Sequence, residues 1–255
     1  MQILQIPALQ DNYNYILICE ATRQAAVVDP SEFLPVHNVI QAEGLQLVAI
    51  LNTHHHWDHI GGNEELIRQY HPQVYCSDYD RDRIPGVTHT VHEGDSVKFG
   101  QVELSVLDVP AHTLGHIAYY ADETLFCGDT LFAAGTGKLF EGTPAQMHAA
   151  LAKFKALPAK TRVYCAHEYT LNNLLFAKIV EPNNLALQTK LEQVRALRRA
   201  KQFTVPTTIE EELTYNPFLR TGERSIREQL ESQGFVGLDD EVAVLAAIRE
   251  WKNRF

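Results

Sequence analysis

The chain has 255 residues, of which 45% are hydrophobic and 21% are charged, and its formal net charge at pH 7 is −10. This composition predicts a folded protein of one or two domains with a large core, and it argues against disorder. The acidic balance argues against a nucleic-acid partner, because binding to phosphates needs a basic surface.

The sequence predicts neither a membrane-spanning helix nor a secretory signal. No apolar run reaches the roughly 20 residues that a membrane span needs, and the first residues lack the basic and apolar regions of a secretory signal. The four cysteines are scattered through the chain and are expected to be buried free thiols of a reducing compartment. We therefore expect a cytoplasmic protein with no membrane partner, and a monomer is the default oligomeric state.

Predicted strands and helices alternate over residues 1–168. The helices fall at 36–42, 63–67 and 144–157, the last with a proline near its start and another after its end. The first three strands are expected to be antiparallel, with turn signals between them. All the predicted strands are 3–9, 13–18, 25–28, 47–51, 74–76, 96–99, 102–109, 117–120, 124–127 and 163–166.

Strand signals disappear after residue 169, and residues 171–180, 185–201 and 241–251 are predicted helices. The basic residues between Lys190 and Lys201 are expected to form a solvated helix face. We therefore predict an α/β fold in which a two-sheet domain, residues 1–168, carries a helical domain, residues 169–255.

The segment Thr53 to His59 is the most informative part of the sequence, because it holds His54, His55, His56, Asp58 and His59 within one short stretch. It follows the apolar run 47–51 and precedes a predicted helix, so it lies on a loop that leaves a buried strand. In an extended segment His54 and His56 point to one side and His55 to the other. Imidazole and carboxylate groups suit zinc and similar metals, so we interpret this loop as a metal site.

Three later segments supply more candidate ligands, and each follows an apolar, strand-like run. His112 and His116 follow the strand 102–109, Asp129 follows 124–127, and His167 follows 163–166. Residues at the ends of several strands can converge on one edge of a sheet. A two-metal site about 3.5–4 Å across needs a bridging ligand, and Asp129 could serve as one.

The order H-x-H-x-D-H, then a distant His, an Asp and a His, resembles the ligand pattern of the metallo-β-lactamase superfamily. The sequence is most similar to the glyoxalase II (hydroxyacylglutathione hydrolase) family. The similar segments are Thr53–His59, Gly-Asp-Thr-Leu-Phe at 128–132, Gly137-Lys138, Glu141-Gly142-Thr143, His-Glu-Tyr-Thr at 167–170, Tyr-Asn-Pro-Phe at 215–218 and Pro-Ala-Leu-x-Asp-Asn-Tyr at 7–13. The resemblance implies a metallo-β-lactamase-like αβ/βα two-sheet sandwich with a C-terminal α-helical domain.

The resemblance also implies an activity and a metal site. Two divalent ions, zinc in the first place with iron or manganese as alternatives, would hold a bridging hydroxide that attacks the thioester S-D-lactoylglutathione or related 2-hydroxyacylglutathiones. Glutathione and D-lactate would be the products, in the second step of methylglyoxal detoxification. Asp58 and Asp129 would be the catalytic residues that hold the hydroxide. The implied ligands are His54, His56 and His112 for the first ion, Asp58, His59 and His167 for the second, and Asp129 for both.

For the substrate, a glutathione thioester, the resemblance implies contacts with Lys138, Tyr169, Arg249 and Lys252. Arg249 and Lys252 share a face of the last predicted helix, where they would hold the glycine carboxylate. Taken alone, such a pair would be a solvated basic face. The chain departs from the family at Phe140, where a tyrosine is common, so one hydrogen bond to the peptide would be missing.

His55 and His116 match no ligand position. We expect His55 to face away from the metals, and His116 to support the ligands near His112 without binding metal.

Three other classes of protein are alternatives to a glutathione thioester hydrolase. A persulfide dioxygenase of similar fold would use one iron and would lack the basic helix. A phosphodiesterase or nuclease would need basic binding segments, which the charge of −10 disfavours. A structural zinc site would be closed and rich in cysteine, whereas this one is rich in His and Asp.

Overall fold

A computed structural model describes all 255 residues, and the chain divides into two compact units. The first unit comprises Met1–Asp108 and Leu114–Gly128, and the second comprises Val109–Thr113 and Asp129–Phe255. The units therefore do not correspond to a single cut in the sequence. The predicted domain boundary after residue 168 stays a prediction.

The first unit contains the elements that precede and follow the histidine-rich loop. A short 3-10 turn at Asp78–Asp80 lies between β5 and β6. The elements in chain order are β1 (Gln2–Ala8), β2 (Asn12–Ile18), β3 (Gln24–Val28), α1 (Phe33–Ala42), β4 (Gln46–Leu51), α2 (Trp57–Ile60), α3 (Asn63–Tyr70), β5 (Gln73–Ser77), β6 (His89–Val91), β7 (Ser96–Phe99), β8 (Val102–Asp108), β9 (Ile117–Ala121) and β10 (Thr124–Gly128).

Strands β1 to β6 form one sheet in sequence order. The pairs β1–β2 and β2–β3 are antiparallel, as predicted, and β3 to β6 are parallel. Strands β7 to β10 are joined by antiparallel pairing. Every residue of β2 and of β10 is buried, and the rings of Tyr15 on β2 and Phe126 on β10 lie 5.6 Å apart. The two-sheet α/β arrangement predicted from the sequence is confirmed.

The parallel pair β3 and β4 decides where the histidine-rich loop lies. The backbone N–H of Asp29, just after β3, donates to the carbonyl of Leu51 at the end of β4, over 3.1 Å. The loops after these two strands therefore leave the sheet at the same edge. The single-turn helix α2, which the sequence did not predict, carries Asp58 and His59.

The second unit contains the remaining elements and is mostly helical. The C-terminal helical region predicted from the sequence is confirmed. The elements are β11 (Leu131–Phe132), β12 (Gly135–Thr136), α4 (Pro144–Lys155), β13 (Arg162–Cys165), α5 (Thr170–Val180), α6 (Leu185–Arg199), β14 (Thr207–Thr208), α7 (Ile209–Tyr215), α8 (Arg224–Ser232) and α9 (Glu241–Arg254).

Two expectations for this region need correction. The expected absence of strands after residue 169 is wrong, since β14 pairs antiparallel with β13. A strand of two threonines is too short to show a periodic pattern. The second correction is that helices α7 and α8, which were not predicted, also lie in this region.

Three general expectations can be compared with the structure. The cysteines are free and buried, as expected. The basic residues of α6 are partly neutralised, because Lys190 pairs with Glu211, Arg195 with Glu192 and Arg198 with Glu168. None of the helices is both long and apolar enough to cross a bilayer.

Candidate metal centre

Two histidines of the loop after β4 turn their ring nitrogens toward each other. His54 is fully buried and His56 is partly buried, and the distance from His54 Nε2 to His56 Nδ1 is 3.0 Å. Two nitrogens that share a tetrahedral zinc, each about 2.0–2.1 Å from it, lie roughly 3.3 Å apart. The pair is therefore already close to the spacing that a shared ion requires.

Asp29 orients two of the imidazoles in this loop. Its Oδ2 accepts a hydrogen bond from His59 Nδ1 over 3.0 Å and another from Thr53 Oγ1 over 2.7 Å. Because the Thr53 hydroxyl gives its proton to Asp29, its lone pairs can accept from His54 Nδ1, 3.1 Å away. These contacts leave Nε2 of both histidines as the ligand atom, as is usual when a carboxylate supports a metal-binding imidazole.

Asp58 lies beside His59 at the start of the short helix α2. Its Oδ2 is 3.5 Å from His59 Nε2 and accepts a hydrogen bond from Asn12 Nδ2 over 3.1 Å. Asn12 Nδ2 also donates to the Asp58 carbonyl. Asn12, in the segment 7–13, therefore holds the Asp58 carboxylate in place.

The two histidines that match no ligand position in the family pattern, His55 and His116, make other contacts. His55 Nδ1 lies 3.4 Å from Asp80 Oδ1 and its Nε2 lies 3.2 Å from Arg83, while its ring meets the ring of His56 with centroids 5.0 Å apart. That His55 is not a metal ligand stays a prediction. The ring of His116 stacks on the ring of His54, with centroids 4.6 Å apart. His116 therefore supports a candidate ligand by packing, and the partner that the structure records is His54.

In the second unit, Asp129 places one oxygen near each of two histidines. Asp129 Oδ2 lies 3.5 Å from His112 Nε2, and Oδ1 lies 3.4 Å from His167 Nε2. All three residues are buried. A carboxylate that presents separate oxygens to two imidazoles has the arrangement expected of a group that bridges two ions.

The loop that carries Lys138 orients His112. The carbonyl of Lys138 can only accept, so His112 Nδ1 donates to it over 2.8 Å, which leaves Nε2 for a metal. Gly137 makes this approach possible. A Cβ at that position would lie 2.0 Å from the Asp129 carbonyl oxygen and 2.8 Å from His112 Nδ1.

The donor atoms fit borderline divalent ions. They are imidazole nitrogens together with carboxylates, without a cysteine among them, which suits zinc, iron or manganese. The buried position of His54, His59, His112, Asp129 and His167 provides the low-dielectric surroundings in which such ligands bind well.

A cavity of about 470 Å³ in the second unit borders His112 and Asp129. Its lining brings together all four residues predicted to contact the substrate, Lys138, Tyr169, Arg249 and Lys252. Tyr169 lies next to α5 with its ring stacked on His167, the centroids 4.7 Å apart and the planes 3° apart. Two larger cavities, of about 570 and 530 Å³, are lined by none of the predicted site residues.

Arg249 and Lys252 are not a solvated basic face. Arg249 is only 5% exposed, and its guanidinium donates to the carbonyl of Thr136 over 2.9 Å and lies over the ring of Phe218. Burial lowers the pKa of Arg249 to about 10. Burial, and then the nearby charge of Arg249, lower the pKa of Lys252 to about 7. Neither cation pairs with a carboxylate.

The Tyr-Asn-Pro-Phe segment holds the hairpin β11–β12 beneath this cavity. Asn216 Nδ2 donates to the carbonyl of Gly135 over 3.1 Å and to Glu212 Oε2 over 2.8 Å. Glu212 in turn accepts from the backbone N–H of Ala134, and its burial raises its pKa. The hairpin runs from Asp129 toward Lys138, so these contacts connect α7 to both residues.

Phe140 follows Lys138 on the rim of the cavity. Its side chain is 64% exposed, and its ring edge meets His112 with centroids 5.2 Å apart. A phenylalanine here offers an apolar surface and no hydroxyl group.

Sequence reasoning missed Asp29, Asn173 and Glu212. Asp29 directly follows a strand that was predicted, so its position at a strand end was an available signal. Asn173 and Glu212 had no signal, because the atoms that they contact lie far away in the sequence.

Comparisons with known proteins show the family to which the chain belongs. Residues 9–167 match the model of the metallo-β-lactamase superfamily, and residues 168–255 match that of the hydroxyacylglutathione hydrolase C-terminus. Proteins named hydroxyacylglutathione hydrolase from Synechococcus sp. and Aliivibrio salmonicida are both 50% identical, over 100% and 99% of each chain, respectively.

Among solved structures, ETHE1 from Myxococcus xanthus is 26% identical and has a TM-score of 0.68, with 98% of each chain covered. The predicted metallo-β-lactamase fold with its C-terminal helical region is thereby confirmed. The chain belongs to the hydroxyacylglutathione hydrolase family of the metallo-β-lactamase superfamily.

Proposed function

We propose that this protein hydrolyses the thioester S-D-lactoylglutathione, and related 2-hydroxyacylglutathiones, to glutathione and D-lactate. This is the second step of methylglyoxal detoxification. The observation that carries the proposal is the pair of cations, buried Arg249 and partly buried Lys252, in the same cavity as His112 and Asp129. A thioester with a carboxylate at its far end matches both features.

The absence of a carboxylate partner for the two cations favours an anionic ligand. Burying a charge without a partner is costly, so a site that does this is commonly one that a ligand completes. The glycine carboxylate of glutathione would neutralise the pair, and Lys138 and Tyr169 would contact the peptide between that carboxylate and the thioester. The chemistry of a mononuclear iron dioxygenase would not require the basic pair Arg249 and Lys252. Residues 168–255 match the model of the hydroxyacylglutathione hydrolase C-terminus.

We further propose that the protein holds two divalent metal ions, most readily Zn²⁺. His54, His56 and His112 would bind the first, Asp58, His59 and His167 the second, and Asp129 both. Ions at such a site lower the pKa of a bound water toward about 7 and polarise the carbonyl that is attacked. The catalytic role of Asp58 and Asp129 would be to hold the ions and the water between them.

Other residues of the chain would orient the ligand histidines and the substrate. Asp29, Thr53 and the carbonyl of Lys138 hold ring protons on the ligand histidines, so the opposite nitrogens stay available. The leaving group is a thiolate, which departs without a proton from a general acid. The substrate contacts would fix the thioester relative to His112 and Asp129, which is where positioning reduces the barrier.

The proposal also covers the domains, the cellular location, the oligomeric state and the partners of the protein. We assign residues 1–168 to a catalytic domain and 169–255 to a substrate-binding domain, close to the spans that the two family models match. We place the protein in the cytoplasm, because its cysteines are unpaired, and describe it as a monomer. Its partner would be a small molecule, neither nucleic acid nor membrane.

The test is a product assay on the purified protein. S-D-lactoylglutathione should be converted to equimolar glutathione, measured with a thiol reagent, and D-lactate, measured with a stereospecific dehydrogenase. Removal of metal with a chelator should abolish the reaction, and Zn²⁺ should restore it. Turnover that persists at the same rate in the metal-free protein would contradict the proposal.

A further inference from the structure

The two cations of the cavity, buried Arg249 and partly buried Lys252, differ in the contacts that hold them. The Arg249 guanidinium has a carbonyl, the Asn253 side chain and an aromatic ring as neighbours. The Lys252 ammonium lies over the ring of Phe176, 5.0 Å from its centroid, and has one recorded hydrogen-bond acceptor, Asn173 Oδ1, at 2.6 Å. Asn173 is therefore the polar contact that fixes the position of this ammonium.

Chemistry, rather than a choice of rotamer, sets the orientation of the Asn173 amide. Its Nδ2 donates to the carbonyl of Ala133 over 2.9 Å, and a carbonyl cannot donate. A flipped amide would place its oxygen against that carbonyl and its NH₂ against the Lys252 ammonium. The oxygen of Asn173 must therefore face Lys252.

Asn173 also joins the parts of the second unit that surround the cavity. It is 2% exposed, and its backbone N–H donates to the carbonyl of Tyr169, the residue just before α5, over 2.9 Å. The hairpin packs directly on its amide, since a Cβ at Gly135 would lie 2.7 Å from Asn173 Nδ2. One side chain thus connects α5, the hairpin β11–β12 and α9.

We propose that Asn173 is the positioning residue of the carboxylate subsite, holding the Lys252 ammonium where the substrate's carboxylate binds. This inference rests on the proposed function, since it assumes that the cavity takes a carboxylate. A lysine has a long, flexible stem, and an ammonium without an acceptor would sample other positions. An acceptor also favours the protonated amine, which is the form that attracts a carboxylate.

The first test is a double-mutant cycle on KM for S-D-lactoylglutathione. Lys252→Ala should raise KM, and Asn173→Ala should raise it roughly 5- to 30-fold, at or below the range for hydrogen bonds to charged groups. In the Lys252→Ala background, Asn173→Ala should change KM less than about twofold, because the group that it positions is gone. Asn183→Ala, an exposed asparagine, and Lys178→Ala, an exposed lysine of α5, are the matched controls.

The second test follows the charge of Lys252 and does not depend on turnover. The affinity for S-methylglutathione, a thioether that cannot be hydrolysed, is measured by calorimetry from pH 6 to 9. Asn173→Ala removes the acceptor and should move the fall in affinity to lower pH. Asn173→Asp keeps an oxygen toward Lys252 and adds a charge, so it should move the fall to higher pH. The Asp variant keeps the side-chain volume, loses the hydrogen bond to the carbonyl of Ala133 as the Ala variant does, and serves if the Ala variant does not fold.

The outcomes separate the two proposals. If Lys252→Ala leaves KM unchanged, the carboxylate subsite itself is wrong. If Lys252→Ala raises KM but the effect of Asn173→Ala persists in full in that background, Asn173 acts only on the fold and the inference is overturned. A pH midpoint that neither Asn173 variant shifts would overturn it as well.

Discussion

The imidazole of His59 donates its Nδ1 proton to the buried carboxylate of Asp29 over 3.0 Å. The same carboxylate accepts from Thr53, whose hydroxyl faces His54. One residue that is not itself a proposed ligand therefore sets the tautomer of two proposed ligands.

Replacing Asp29 should weaken metal binding without removing a ligand. In Asp29→Asn an NH₂ can take the place of Oδ2, where it would face two donors, so we expect metal affinity to fall about 10- to 100-fold. Competition with a chromogenic chelator measures it. Asp122→Asn is the matched control, since Asp122 is exposed and has the same φ of 47° as Asp29. Equal affinity in the wild type and Asp29→Asn would show that the hydrogen bond to His59 is dispensable.

Asp129 and Asp58 should differ in how many ions they affect. Asp129→Ala should reduce the bound metal at both sites, because its two oxygens face His112 and His167. Asp58→Ala should reduce it mainly at one. The measurement is metal content per chain by elemental analysis, with the exposed Asp239→Ala as control. Two ions per chain and full activity in Asp129→Ala would rule out a bridging role.

The basic pair of α9 should act on substrate binding and not on the chemical step. The contact with a remote carboxylate does not change as the thioester becomes tetrahedral, so Arg249→Ala/Lys252→Ala should raise KM with little change in kcat. We expect kcat/KM to fall roughly 10- to 100-fold, from charge-assisted hydrogen bonds of about 1.5–3 kcal/mol. Metal content should stay the same.

The control for that variant is Lys178→Ala/Arg254→Ala, which removes the same charges from exposed positions. Steady-state kinetics on the glutathione thioester compare the two. A loss confined to kcat, or an equal loss in the control, would mean that the pair is not a carboxylate subsite.

Ligand affinity should depend on pH through Lys252. Its pKa is lowered to about 7 by burial and by Arg249, so the ammonium is charged below that pH and loses its charge above it. A carboxylate binds the charged form, so the affinity for S-methylglutathione should fall about tenfold from pH 6 to pH 8.

Other titratable groups also line this cavity, namely His112, Asp129, Lys138 and Tyr169. Calorimetry on Lys252→Ala assigns the pH dependence, because that variant should bind weakly with little change over the same range. A slope in Lys252→Ala as steep as in the wild type would assign the dependence to another group.

Sequence patterns predicted the elements of this fold because burial repeats along a strand or helix. The strand 96–99 was predicted at its observed bounds, and most other elements within a few residues. The hairpin β11–β12 and strand β14 were not predicted, since strands of two residues carry no period.

The proposed ligands could be named because metal binding restricts both residue type and spacing. The residues that position these ligands could not be named from the sequence. Asp29 contacts Thr53 across 24 positions and Asn173 contacts Lys252 across 79, and an aspartate or asparagine in a loop or helix has many uses. The burial of Arg249 was likewise hidden, because its hydrogen bond to the carbonyl of Thr136 spans 113 positions of the sequence.

The most direct test of the proposed function compares two thioesters. S-D-lactoylglutathione and a thioester of lactate with a simple thiol such as N-acetylcysteamine present the same acyl group to the same site. We predict that kcat/KM for the glutathione thioester is higher by at least tenfold, and that Arg249→Ala/Lys252→Ala removes most of this preference. Equal kcat/KM for the two substrates in the wild-type enzyme would contradict a glutathione-specific hydrolase.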